Sequence, residues 1–115
     1  GKNIVVSSLR ASGFEVIDLG REVPVTHIIE TAEKYCVDFI ATSALLTSTL
    51  IEQKKLEVML RGLGLRAKYT TMVGGAPCTP RWTRRIGADI YCEDAVEAVK
   101  MAKEAMEKKN KKNNK

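Results

Sequence analysis

The sequence predicts an α/β domain built on a doubly wound parallel sheet, and three observations carry that prediction. Short apolar, β-branched runs alternate with stretches of helical periodicity, glycine or proline marks nearly every junction, and the connections are mostly a few residues long. Strands joined through helices pair in parallel, and a parallel sheet is covered on both faces, which suits apolar strands. A chain of 115 residues can bury one core and is too short for two independent ones.

The elements follow in order. Over residues 3–12, Ile4, Val5, Val6 and Leu9 recur at helical spacing, and Gly13 follows as a residue able to take positive φ, so the chain opens with a helix. Residues 14–19, FEVIDL, read as a strand closed by Gly20 and Pro24. After Pro24 a second helix runs to about Cys36, with Thr26 as its N-cap and Glu30 in its first turn. Residues 38–44 form a compact apolar strand. Thr47, Ser48 and Thr49 then begin a helix that reaches about Arg61 and is stopped by Gly62 and Gly64. Residues 68–73 alternate as a strand before Gly74, Gly75 and Pro77. A short amphipathic stretch over 80–86 ends at Gly87. Residues 89–92 make the last strand, and Asp94 caps a final helix whose apolar face is Ala95, Val96, Val99, Met101, Ala102 and Met106.

A doubly wound sheet should start on a strand, because a helix packs as the crossover from one strand to the next. None precedes the first helix here. The expectation is that the first strand lies before this sequence; in the common order 2-1-3-4-5 it is an inner strand.

Composition narrows the function. Apolar residues make up 44% and charged residues 29%, no apolar run is long enough to span a bilayer, and no signal peptide is visible. The net charge of +5 equals the five lysines Lys108, Lys109, Lys111, Lys112 and Lys115, so residues 1–107 balance. We therefore divide the chain into a domain over 1–107 and a solvated, frayed Lys/Asn tail over 108–115. We expect neither nucleic acid nor membrane as a partner. Three widely spaced cysteines without a CxxC pair suggest neither a disulfide framework nor a zinc site, and a reducing cytoplasm suits them. His27, the only histidine, sits in a helical pattern with no acidic or histidine partner at metal-ligand spacing, so it reads as a surface histidine.

Ligands of open parallel sheets bind beyond the carboxyl ends of the strands. Four stretches lie there: residues 20–24, 43–49, 74–79 and 91–95. All are rich in small or hydroxyl side chains, and the second and third carry almost no charge, which argues against a metal-assisted phosphoryl-transfer centre. There is no GxGxxG opening a helix, no phosphate loop and no GxSxG elbow, so nucleotide and hydrolase chemistry have no footing. Gly74 and Gly75 read either as a simple turn or as a place where a bulky ligand lies against backbone, in a slot that a side chain at Gly75 would fill. Ser43, Thr47, Ser48 and Thr49 include at least one helix cap, and the remainder are available to a polar ligand group. Cys78 and Cys92 read as bystander thiols. Trp82 packs either on the sheet or on a partner.

Five stretches, GKNIV, GFEVIDLGREVP, ATSALLTSTL, MVGGAP and GADIYCEDA, in this order and spacing resemble the corrinoid (vitamin B12) binding domain of methyltransferase corrinoid proteins. The likeness extends to those of methanol and methylamine systems and to the cobalamin domain of methionine synthase, and it covers the chain to about Lys103. It implies a Rossmann-like, flavodoxin-like cobalamin-binding fold. Of the family signatures D-x-H-x-x-G, S-x-L and a glycine pair, Ser43 and Leu45 match the second. Gly74 and Gly75 match the third, with Ala76 beside them. Thr47 and Thr49 fall where the family hydrogen-bonds the nucleotide tail. Ala95, with Tyr91 near it, matches the loop that closes over the tail's base. Gly1 resembles the last residue of D-x-H-x-x-G, which places the cobalt-ligating histidine and its carboxylate partner upstream of this sequence; His27 does not match it.

The resemblance implies a corrinoid cofactor with its cobalt, methyltransferase subunits as partners, and a methyl carrier that is not catalytic alone. No residue of this chain is assigned a catalytic or metal-binding role. Two alternatives stand beside it: a B12-dependent sensor, and a flavodoxin-like module without corrinoid, which should show clustered aspartates at its strand ends.

Overall fold

Burial follows the periodicities of the sequence. The computed structural model describes residues 2–20 and 23–113, with side chains for 4–20 and 23–108. The chain falls into two units, residues 18–91 and residues 1–17 with 92–115.

In the larger unit, helix α2 (Val25–Tyr35) buries Val25, Ile29 and Ala32, at i, i+4 and i+7. Helix α3 (Thr47–Gly62) buries Gln53, Leu56, Glu57 and Leu60 on the same spacing. The apolar members of both stripes meet Ile40 of strand β1 (Phe39–Ser43) and Tyr69 in one core cluster. Each large side chain so buried contributes about 1.5–3 kcal/mol. Strand β2 (Thr70–Gly74) pairs in parallel with β1, Phe39 opposite Thr70 through Ser43 opposite Gly74. Helix α4 (Pro80–Ile86) leads to strand β3 (Ile90–Cys92), and the sheet order is β1-β2-β3. The three strands run parallel, as the alternation with helices predicts. α4 has both ends stopped by its own residues: Thr79 Oγ1 accepts from Trp82 N at 3.0 Å, Pro80 occupies the first turn, and Gly87 takes φ +80°.

The amino ends of β2 and β3 are held by a polar network. Glu57, 1% exposed, accepts from Thr71 Oγ1 at 2.7 Å and pairs with Arg66 Nε at 2.9 Å. Arg66 also pairs with Asp89 at 3.0 Å, and Asp89 accepts from Thr71 N at 2.9 Å. Burial pushes the Glu57 carboxyl above its usual range, against the opposing pull of Thr71 and Arg66. Every member has partners, so this end of the sheet is fixed and the carboxyl ends are left to vary.

In the smaller unit, helix α1 (Lys2–Ala11) contacts helix α5 (Ala95–Asn113). Asp94 caps α5 as expected, its Oδ1 accepting from Glu97 N at 2.9 Å, and Gly13 takes φ +95° after α1.

Several expectations are corrected. Residues 14–19 take no strand assignment and lie outside the three-stranded sheet, since a β-branched run becomes a strand only beside a ladder partner. Thr26 is not the N-cap of α2; Pro24 holds that position with φ −59° and ψ 144°, and α2 already begins at Val25, which leaves Glu30 beyond the first turn. On α5, Ala102 is buried and Ala95, Val99, Met101 and Met106 are half-buried as expected, but Val96, 79% exposed, leaves that face and Ala98 joins it. Helix α5 continues to Asn113 through residues read as a frayed tail, since lysine is a good helix former.

Candidate functional site

The carboxyl ends of β1 and β2 are joined by backbone. Ala44 N donates to Gly74 O at 3.0 Å, one step past the last strand pair. Gly75 follows with φ +111°, where a Cβ would lie 1.9 Å from the Ala44 carbonyl oxygen and 2.7 Å from its nitrogen. Only glycine can stand there, both for its dihedral and for this approach. The sequence left open whether the glycine pair marks a turn or a ligand contact. At Gly75 the volume freed by the missing side chain is taken by Ala44, so a ligand slot carved by that missing Cβ is not what the structure shows. The rims touch at Ala44 and Gly75, and open ground begins at Leu45 on one side and Ala76 on the other.

That ground is apolar and hydroxylated. Leu45 and Leu46 are 65% and 64% exposed, and Ser43, Thr47, Ser48 and Ala76 are exposed as well. Two adjacent leucines held in water at a strand end have an uncovered apolar face that a broad ligand can dehydrate. Of the four hydroxyls, Thr49 is the cap: its Oγ1 accepts from Leu46 N at 3.1 Å and donates to Leu46 O at 2.6 Å. Those bonds keep the start of α3 fixed, so of the two hydroxyls expected to meet a nucleotide tail, Thr47 and Thr49, the second is already engaged. Ser43, Thr47 and Ser48 make no side-chain hydrogen bond among the described residues, and residues 43–49 and 74–79 carry no charge.

The other predicted residues are spread more widely. Tyr91 lies on β3 and is half-buried, packed on the cluster of Val73, Cys78 and Ile86. Ala95 opens α5 in the smaller unit. Gly1 lies outside the described residues, as do Arg21 and Glu22 of the stretch after residue 20. His27 is exposed on α2, and burial raises the pKa of the Cys78 thiol, as a bystander thiol requires.

One link beneath the rims was missed in the reading of the sequence. Gln53, 3% exposed, donates from Nε2 to Gly74 O at 3.3 Å and to Thr42 O at 3.4 Å, while its Oε1 accepts from Trp82 Nε1 at 3.1 Å. Trp82 thereby packs on the sheet side, against the Val73 cluster. The available signal was a polar residue inside the apolar stripe of α3, one turn before Leu56 and Glu57.

A neutral, hydroxyl-lined rim with exposed leucines fits a large amphipathic ligand whose polar arms accept neutral hydrogen bonds, and it does not fit a highly charged one. The comparisons point the same way. The model of the B12 binding domain matches residues 1–100. Trimethylamine corrinoid protein 2 of Methanosarcina acetivorans is 50% identical over 99 residues, covering 86% of this chain and 46% of that protein. The structure of the Methanosarcina barkeri monomethylamine corrinoid protein superposes with a TM-score of 0.87 at 37% identity, over 91% of this chain and 50% of that one. A methanol:cobalamin methyltransferase complex from Methanosarcina barkeri gives 0.85 at 32% identity, over 90% and 40%. The chain thus spans about half the length of the relatives it matches.

Proposed function

The chain belongs to the B12 binding domain family, and from that premise we propose that it holds the corrinoid of a methyl carrier serving methylamine-type methyltransferases. The observation that carries the reading is the charge-free rim, on which two exposed leucines and three unengaged hydroxyls stand at the carboxyl ends of β1 and β2. When bound, the corrinoid supplies a cobalt centre able to accept a methyl group and give it up again.

The residues of this chain do the holding. Leu45 and Leu46 would cover an apolar flank of the ring, Ser43 and Thr47 would donate hydrogen bonds to its nucleotide arm, and the backbone at Gly74 and Gly75 fixes the distance between the rims. Ala76 leaves room beside them. Of the other residues that the resemblance assigns to the cofactor, Tyr91 stands on β3 and Ala95 opens α5. Thr49 acts indirectly, by holding the turn that presents Leu45 and Leu46.

None of these groups is a nucleophile or a general acid, so transfer itself requires partner enzymes, and specificity for the methyl donor resides with them. No helix among the described residues is long and apolar enough to cross a membrane, and a cytoplasmic location suits the three cysteines. The test is to incubate the protein with hydroxocobalamin, remove free cofactor by gel filtration and read the visible spectrum. Near-equimolar retained corrinoid is expected, and after reduction a methylamine methyltransferase supplied with its methylamine should methylate it, releasing the demethylated amine. A colourless protein would overturn the reading, and retention without methylation would favour a sensor.

A further inference from the structure

We propose that Gln53 is a positioning residue that sets the spacing of the two rim loops, and through it the selectivity for corrinoids that carry a nucleotide arm. The inference rests on the corrinoid reading above. Its basis is that one buried amide connects three separate elements: Thr42 O at the end of β1, Gly74 O at the end of β2, and the indole of Trp82 on α4.

Gln53 is 3% exposed and has every polar hydrogen and its carbonyl engaged, so rotation of the amide would leave at least one buried group without a partner. Trp82 fixes which way the amide faces: its Nε1 can only donate, so Oε1 points to the indole and Nε2 to the two carbonyls. The two carbonyls belong to the residues that lead into the rims, Thr42 before Ser43 and Gly74 before Gly75. Gly74 O also accepts from Ala44 N at 3.0 Å, so the same oxygen receives both the last backbone bond between the rims and the Gln53 amide. A glutamine that served α3 alone would not need partners on both strands.

On the corrinoid reading the rim hydroxyls of Ser43 and Thr47 would hold the nucleotide arm while the ring would rest on the exposed leucines, so a change in rim spacing would act on the arm more than on the ring. The experiment measures, with the full chain, the affinity for hydroxocobalamin and for dicyanocobinamide, which lacks the nucleotide arm. Gln53→Leu is expected to weaken hydroxocobalamin about tenfold, the effect of losing one or two buried hydrogen bonds, and to leave dicyanocobinamide unchanged. Trp82→Phe, which leaves the amide's oxygen without its donor, should shift the same ratio in the same direction by about threefold, and it covers the case in which Gln53→Leu fails to fold. Gln53→Glu should behave as Gln53→Leu, since a carboxylate cannot donate to two carbonyls. Equal weakening of both corrinoids, or of neither, would show that Gln53 serves only the core and would overturn the proposal. Wild-type protein that binds neither corrinoid would instead remove the corrinoid reading and this inference with it.

Discussion

Gly75→Ala tests the meeting of the rims most sharply. A methyl group added at φ +111° pays twice. The dihedral is one that residues with a side chain rarely adopt, worth roughly 1–3 kcal/mol. The methyl carbon would also sit 1.9 Å from the Ala44 carbonyl oxygen, which belongs to backbone and cannot swing aside. Overpacking of that kind costs roughly 1–3 kcal/mol, and moving Ala44 away would break its bond to Gly74 O, worth about 1 kcal/mol. The combined loss, roughly 3–7 kcal/mol, is a large part of the stability of a domain this size. Gly64→Ala is the internal control. Its φ is +72° but nothing lies within 4 Å of its Cβ position, so only the dihedral strain of roughly 1–2 kcal/mol remains. Urea unfolding followed by far-ultraviolet circular dichroism gives both values. A Gly75→Ala protein no less stable than Gly64→Ala would refute the reasoning.

Three further outcomes are expected. Arg66→Ala should cost about 3–5 kcal/mol in urea unfolding, because it leaves the Glu57 carboxylate buried without its cation; a loss below about 1 kcal/mol would contradict the role given to the pair. Glu57, whose carboxyl is held above its usual 4.5 by burial, binds a proton more readily folded than unfolded. Its contribution to stability therefore falls as pH rises from about 4.5 through the folded value. Glu57→Gln should remove that slope from unfolding measured across the same range, and parallel profiles for the two proteins would speak against it. Iodoacetamide should label exposed Cys36 well before buried Cys78, whose thiol is pushed up by burial; mass spectrometry of timed samples would show the reverse order if the Cys78 environment is wrong.

Much of this was legible in the sequence for local reasons. α4 could be bounded from Pro80 and Gly87, because a first-turn proline and a left-handed glycine act within a few residues, and the structure adds the Thr79 cap. The extent of α3, opened by Thr47 and closed at Gly62, was readable in the same way. The reading of residues 14–19 as a strand fell short because strand character depends on a neighbour that periodicity does not reveal. At the rims, sequence identified the right loops and not their use. Gly75 is a glycine because of Ala44, 31 positions earlier in the chain, and Thr49 is engaged by Leu46 rather than open to a ligand. The Gln53 link joins residues 29 positions apart through side chains, which no windowed pattern reports.

The central claim is that the corrinoid is held on the loops following β1 and β2. Hydrogen exchange of the full chain, with and without hydroxocobalamin, addresses it most directly. Peptides spanning 43–49 and 74–79 should slow on addition of the cofactor, while the Arg66 network at the other end of the strands stays unchanged. Protection that leaves both loops untouched and appears elsewhere would contradict the account.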